Sequence, residues 1–109
     1  MSKRQEQVKE LLNRLAAAFF SDIAGTHSLI TVTGVTIAKD FARATVFISV
    51  LPEQAEHEAL SFAKRKRSDL REYIRQNTDL RRLPRIEIEI DQGEQHRRRI
   101  DELLREDKN

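Results

Sequence analysis

Apolar residues recur along this chain in two periods, and the change between them marks out its elements. From Gln5 to Phe20, Val8, Leu11, Leu12, Leu15, Ala16 and Phe19 fall at helical spacing, with Lys9, Asn13 and Arg14 opposite. That pattern predicts an amphipathic helix packed on one side. Ser21 to Ser28, polar and containing Gly25, reads as a loop. The period then becomes two. Within Leu29 to Ile37, Ile30 and Val32 alternate, and Val35 and Ile37 alternate on the opposite parity. The slip sits at Thr33-Gly34, and a bulge at Gly34 returns both pairs to the core face. Ala38-Lys39-Asp40 is a short turn. Phe41 to Leu51 then sets Ala42, Ala44, Val46, Ile48 and Val50 against Arg43, Thr45, Phe47 and Ser49. The two stretches predict an antiparallel hairpin with one buried face. Pro52 ends it and suits the start of a following helix.

Glu53 to Arg67 and Ser68 to Asn77 predict two helices meeting at a basic corner, Lys64-Arg65-Lys66-Arg67. Ser68 is placed to act as N-cap of the second, with Asp69 and Glu72 in its first turn, where negative charge is favourable. One straight amphipathic helix with a solvated basic face fits the same residues. Thr78 to Leu83 is a connection, and Pro84 precedes the clearest strand: Ile86, Ile88 and Ile90 inward, Arg85, Glu87, Glu89 and Asp91 outward. Gln92-Gly93 breaks it. Gln95 to Arg105 forms a short helix expected to hold the chain end to the core through Ile100, Leu103 and Leu104, with Glu106 to Asn109 fraying. The expected fold class is α+β, a two-layer sandwich with three strands and helices on one face. Its first strand pair is antiparallel. Its last strand returns after two helices, giving a parallel pair and a mixed sheet.

Composition narrows the function classes. A chain of 109 residues predicts one domain, residues 1–109, with a core over about 5–91 and the terminal helix over about 94–106. Of its residues 35% are charged, but 20 Lys+Arg against 18 Asp+Glu leave a net charge of +2. The signs segregate locally instead: Lys64–Arg67, Arg81-Arg82 and Arg97–Arg99 are basic, and Glu53–Glu58 is acidic. Basic patches suit a polyanion, although most charge runs are simply solvated. There is no cysteine, hence no disulfide, thiol chemistry or zinc ribbon. The N-terminus lacks the apolar stretch of a signal peptide, and no apolar run approaches the ~20 residues of a membrane span. A soluble cytoplasmic protein is expected. His27, His57 and His96 have no ligand spacing, and Gly25, Gly34 and Gly93 form no phosphate loop. No cofactor, metal, small-molecule substrate or catalytic residue is expected, and the chain reads as a non-enzyme.

Order and residues together resemble a known family. VKELLNRLAAAFF, LITVTGVTIAKDFARATVFISVL, DLREYI, LRRLPRIEIEID and RRRIDELL occur, from about Gln5 to Glu106, in the order and spacing of ribosome-binding factor A, a bacterial small-subunit assembly factor. The resemblance implies a type II KH-like fold without enzymatic activity. It also implies binding to the maturing small ribosomal subunit and its ribosomal RNA precursor, near the neck and the 5′ end, in late maturation and often under cold stress. The family carries an Ala-x-Gly kink between its two central helices. Here that place holds Lys66-Arg67-Ser68, so the structural kink falls to Ser68 without glycine's freedom at positive φ. The family's acidic-proline turn after the first helix is replaced by Ser21-Asp22-Ile23.

Lys64, Arg65, Lys66 and Arg67 are the first candidates for RNA contact: cations neutralise phosphates, and an adjoining helix N-terminus adds backbone donors. Arg81, Arg82 and Arg85 are the second set. They either grip phosphates bidentately or pair with Glu87, Glu89 or Asp91. Lys39 and Arg43 extend the basic surface or keep the sheet soluble. Arg97, Arg98 and Arg99 splay around a helix axis and are weaker candidates. Phe41 and Phe47 are too few for a base-stacking sheet, and packing under a helix or loop is expected of them. Tyr73 reads as a half-buried helix residue. The leading reading is a non-catalytic, monomeric RNA-binding assembly factor. The alternative is a KH-like protein–protein module that has lost RNA binding. A DNA-binding domain is disfavoured, since no helix begins with base-reading residues.

Overall fold

The computed structural model describes residues 2–23, 28–93, 100 and 103–104. Helix α1 (Lys3–Ile23) is followed by strands β1 (Leu29–Ile37) and β2 (Arg43–Leu51), a 3-10 turn (Glu53–Ala55), helices α2 (Glu56–Arg65) and α3 (Arg67–Gln76), and strand β3 (Arg85–Ile90). The order helix, strand, strand, helix, helix, strand is the expected one. The expected Gln95–Arg105 helix lies largely outside the described residues.

Helix α1 is longer than its apolar stripe. Ser2 and Gln5 form a reciprocal capping box: the Ser2 hydroxyl accepts the Gln5 N–H at 3.1 Å, and Gln5 Oε1 accepts the Ser2 N–H at 3.0 Å. The helix therefore starts at Lys3 rather than Gln5. It runs on through Ser21 and Asp22, both exposed and assigned to a loop by the sequence. Val8, Leu12, Leu15, Ala16, Phe19 and Phe20 are buried along one face. The Phe19 and Phe20 rings meet edge to face at 5.3 Å, and Phe19 also approaches half-buried Tyr73 at 5.8 Å.

The three strands form one sheet in the order β1-β2-β3. The β1–β2 pair is antiparallel, from Leu29 opposite Leu51 to Ile37 opposite Ala44. The register slips between Val32 and Gly34, and Thr33 is the extra residue. The anticipated bulge is present, at Thr33 rather than Gly34: Ile30 and Val35 are buried, with Val32 and Ile37 half-buried against the same core. The bulge does not rest on glycine's backbone freedom, because no described glycine has a positive φ. It is fastened through its side chain. The Thr33 hydroxyl donates to Asp91 Oδ2 at 2.6 Å, and the Asp91 N–H donates to the Ile48 carbonyl at 2.8 Å. One carboxylate thus links β1 to the end of β3 across β2.

Strands β2 and β3 are parallel, Arg43 beside Arg85 through Ile48 beside Ile90. Ala44, Val46, Ile48, Ile86, Ile88 and Ile90 are buried under the helices. Fully burying a side chain such as Ile48, Leu12 or Phe20 contributes about 1.5–3 kcal/mol, so this interlayer is the main source of stability. Strand β2 begins at Arg43, not Phe41. The Asp40 carboxylate accepts the Ala42 N–H at 3.0 Å, the Phe41 N–H donates to the Ala38 carbonyl at 2.9 Å, and Phe41 has φ 61°. The turn therefore consumes two residues that alternation assigned to the strand.

The basic corner is a break between two helices, but not at Ser68. Helix α2 ends at Arg65 and α3 begins at Arg67, with Lys66 between them at φ −92°, ψ 6°. Ser68 lies exposed inside α3 and caps nothing. The Arg67 side chain serves the other side of the break, its Nε donating to the Lys64 carbonyl at the end of α2 at 3.2 Å. Ile100, Leu103 and Leu104, expected to anchor the chain end, are 44%, 61% and 55% exposed and are not in the core. Among the described residues, no helix is long and apolar enough to cross a membrane.

Candidate nucleic-acid interface

Four arginines converge where β3 begins. Arg81 and Arg82 sit exposed in the segment after α3, Arg85 opens β3, and Arg71 reaches down from α3. Together with Ala42 and Leu83 they line an open groove of about 630 Å³. Arg71 is held in place: Nε donates to the Pro84 carbonyl and Nη2 to the Leu83 carbonyl, both at 3.4 Å. These bonds fix the backbone that presents Arg81 and Arg82, and they orient a cation that charge runs in the sequence do not reveal. The available signal was spacing, since Arg71 lies one helical turn beyond Arg67. No ion pair holds Arg81 or Arg82 among the described residues. Arg85 is tied more closely, its Nε 3.1 Å from Glu87 Oε1, although its side chain remains 75% exposed.

The Lys64–Arg67 run is divided by the corner it forms. Lys64 and Arg65 are exposed at the end of α2. Lys66 lies 3.8 Å from Asp69 and 5.7 Å from the Phe62 ring centroid. Arg67 turns back onto the sheet, its Nη1 3.4 Å from Glu87 Oε2. Glu87 therefore receives Arg67 on one oxygen and Arg85 on the other, joining the corner to the groove. Arg43, beside Arg85 in the sheet, lines a shallow hollow that also contains Glu87. Lys39 is exposed in the β1–β2 turn and joins neither group. On the outer side of α3, Arg75 Nε donates to Glu72 Oε2 at 2.9 Å, and the same guanidinium also pairs with Oε1. The bond to Arg75 holds the Glu72 carboxyl below its ordinary pKa, and Glu72 raises that of Arg75. This pair faces away from the sheet.

A second cavity, about 230 Å³, adjoins the groove and shares Arg81 and Arg82 with it. Its floor is apolar, from Val8, Ile37, Leu80 and Pro84, and its rim carries Arg4, Asp40 and Phe41. The Arg4 guanidinium stands 5.8 Å from the Phe41 ring centroid. Arg4 and Asp40 carry no sequence signal for a site; only the meeting of the first turn of α1 with the β1–β2 turn brings them together. No group of three or more His, Cys, Asp or Glu residues is arranged to hold a metal among the described residues.

The element order, the mixed sheet and the helices on one face define a KH-like α+β protein, here bearing an arginine groove at one end of the sheet. Residues 3–104 match the family model of ribosome-binding factor A, and the chain belongs to that family. The ribosome-binding factor A of Coxiella burnetii (strain Dugway 5J108-111) is 32% identical over 106 residues, covering 95% of this chain and 89% of the relative. The crystal structure of ribosome-binding factor A from Thermus thermophilus superposes with a TM-score of 0.71 at 25% identity, over 79% of this chain and 93% of that one. A Thermus thermophilus homology model fitted into a cryo-EM map of a 30S–RbfA complex superposes with a TM-score of 0.65 at 23% identity, over 85% and 97% of the two chains.

Proposed function

We propose that this protein is a non-catalytic RNA-binding factor that assists late maturation of the small ribosomal subunit in the cytoplasm. It would act as a monomer through contact with the ribosomal RNA precursor. The observation that carries this reading is the groove of Arg71, Arg81, Arg82 and Arg85 on a chain of this family. Guanidinium groups converging from a helix, a loop and a strand suit an irregular phosphate path. Arg binds phosphate through a planar fork that a point charge lacks. Lys64, Arg65, Lys39 and Arg43 extend the basic surface around the groove, while Lys66 and Arg67 hold the α2–α3 corner and touch RNA secondarily. The 30S complex into which the Thermus thermophilus homology model was fitted is the kind of assembly proposed for this chain. The mechanism is occupancy: a small wedge that holds immature RNA until the subunit is complete.

Co-sedimentation with mature and immature small subunits at low and high salt tests the reading. Salt-sensitive co-migration that favours immature particles is expected. A folded sample that migrates with neither particle would remove RNA binding and leave the protein–protein module as the working account.

A further inference from the structure

The cavity beside the arginine groove has features that phosphate binding does not require. Phe41 adopts φ 61°. That region is uncommon for any residue other than glycine and costs most for bulky ones. The surrounding turn holds the conformation through the Phe41 to Ala38 and Ala42 to Asp40 hydrogen bonds. Its effect is to set an aromatic ring, half-buried, in the wall of a small apolar cavity instead of on the sheet. Asp40 is exposed on the rim of that cavity with Arg4, Arg81 and Arg82, and no ion pair engages it among the described residues. Its Oδ1 accepts the Ala42 N–H, which leaves Oδ2 as an acceptor.

Resting on the RNA-binding reading above, we propose that this cavity is a socket for one unpaired guanine of the bound RNA, with the neighbouring phosphates in the arginine groove. At about 230 Å³ the cavity falls below the roughly 300–1,000 Å³ typical of sites for drug-sized ligands, which suits a single ring system. Arg4 and Phe41 supply two stacking groups, the guanidinium carbon standing over the ring 5.8 Å from its centroid. A base between them needs about 7 Å, two contact distances of roughly 3.5 Å, so the exposed Arg4 side chain moves outward to admit it. The polar rim selects the base. Guanine alone presents two adjacent N–H donors on its Watson–Crick edge, a match for a carboxylate, and its O6 and N7 accept from a guanidinium. Adenine would set its N1 lone pair against Asp40. Because Arg81 and Arg82 border both cavities, base and phosphate recognition share the same two side chains.

The test is fluorescence anisotropy of the full chain with five-nucleotide RNAs, uridine throughout except for guanine, adenine or an abasic site at the centre. The guanine probe should bind about tenfold more tightly than the adenine and abasic probes, the size expected of charge-assisted hydrogen bonds to a carboxylate. Asp40→Asn keeps the oxygen that accepts the Ala42 N–H but loses the second acceptor, so it should equalise guanine and adenine without shifting thermal unfolding. Phe41→Leu should weaken the guanine probe by about fivefold or more and leave the abasic probe unchanged, as loss of one stacking surface implies. Equal, salt-sensitive binding of all three probes to the unaltered protein overturns the socket and spares the RNA reading. A guanine preference that survives Asp40→Asn overturns the assignment to Asp40. No binding of any probe overturns both.

Discussion

The salt dependence of the proposed RNA binding would separate the groove from the corner. Log affinity for single-stranded nucleic acid falls with log salt by about 0.7 per phosphate contact, so four groove arginines set a limiting slope of about −2.8. Between 50 and 200 mM salt that slope weakens binding by about 50-fold. The four do not contribute equally. Arg85 shares its charge with Glu87, and Arg71 spends two donors on backbone carbonyls. Among the described residues Arg81 and Arg82 have neither an ion pair nor a hydrogen bond to the backbone, unlike Arg71 and Arg85, and the perturbation is Arg81→Gln together with Arg82→Gln. Losing the two fuller contacts should flatten the slope to about −1.4 or less in magnitude and cut the same salt effect to about sevenfold or below. Both side chains are exposed, so stability should hold. The comparison variant, Lys64→Gln with Arg65→Gln, removes the same charge from the corner, away from the groove. Filter binding of a short unstructured RNA at four salt concentrations supplies the slopes. If the corner variant loses about 1.4 from the slope and the groove variant loses nothing, the phosphate path runs over α2 and the reasoning from convergent arginines fails.

Other expectations concern the framework that holds the groove. Thr33→Val removes the hydroxyl that joins the bulge to Asp91 and should lower unfolding stability by about 1 kcal/mol, the net worth of one hydrogen bond; an unchanged urea midpoint would show that the link is incidental. Ser68→Ala should cost less than about 0.5 kcal/mol, because Ser68 lies within α3, whereas loss of a working N-cap costs about 1 kcal/mol. Glu72→Gln bears on pH. The Glu72 pKa is lowered in the folded state, so its stabilisation is fully present above the unfolded carboxylate's pKa and fades as pH falls through the folded value. The stability gap between the parent protein and this variant should therefore be open at neutral pH and closed in acid; a gap that does not change with pH would refute the charge-assisted bond to Arg75.

The elements with a single buried face were legible in the sequence because one period described them. Alternation located Ile86, Ile88 and Ile90, and the parity change at Thr33-Gly34 located the bulge. Side-chain capping moved the boundaries: Ser2 with Gln5 starts α1 early, and Asp40 with Ala42 starts β2 late. The α2–α3 break was ambiguous for a geometric reason. Buried Ala59, Ala63, Leu70 and Ile74 are separated by four, seven and four residues, which keeps them in phase on a straight helix as well as on a broken one. The groove was half legible. Arg81, Arg82 and Arg85 are close in sequence and stay close in space. Arg71, Arg4 and Asp40 reach the site from three other elements, and no linear pattern links them.

The corner shows how a charge run can serve the site without forming it. Lys66 adopts φ −92°, ψ 6°, a sparsely populated but accessible conformation that needs no glycine. A kink between these helices is thus compatible with a lysine, and the glycine expected from the family's motif is dispensable here. What the break requires is a partner for the carbonyls that α2 leaves open, and Arg67 supplies one by donating to Lys64 while its guanidinium reaches Glu87 on β3. Glu87 also holds Arg85. Two cations on one half-buried carboxylate at the surface contribute little stability, about 0–1 kcal/mol per pair, but they tie the start of α3 to the strand that opens the groove. Four residues later on the same helix, Arg71 fixes the Leu83 and Pro84 carbonyls. Helix α3 thus orients the Arg81–Arg85 segment through two arginines one turn apart. Of the corner's four cations, Arg67 is the one that braces the strand opening the groove.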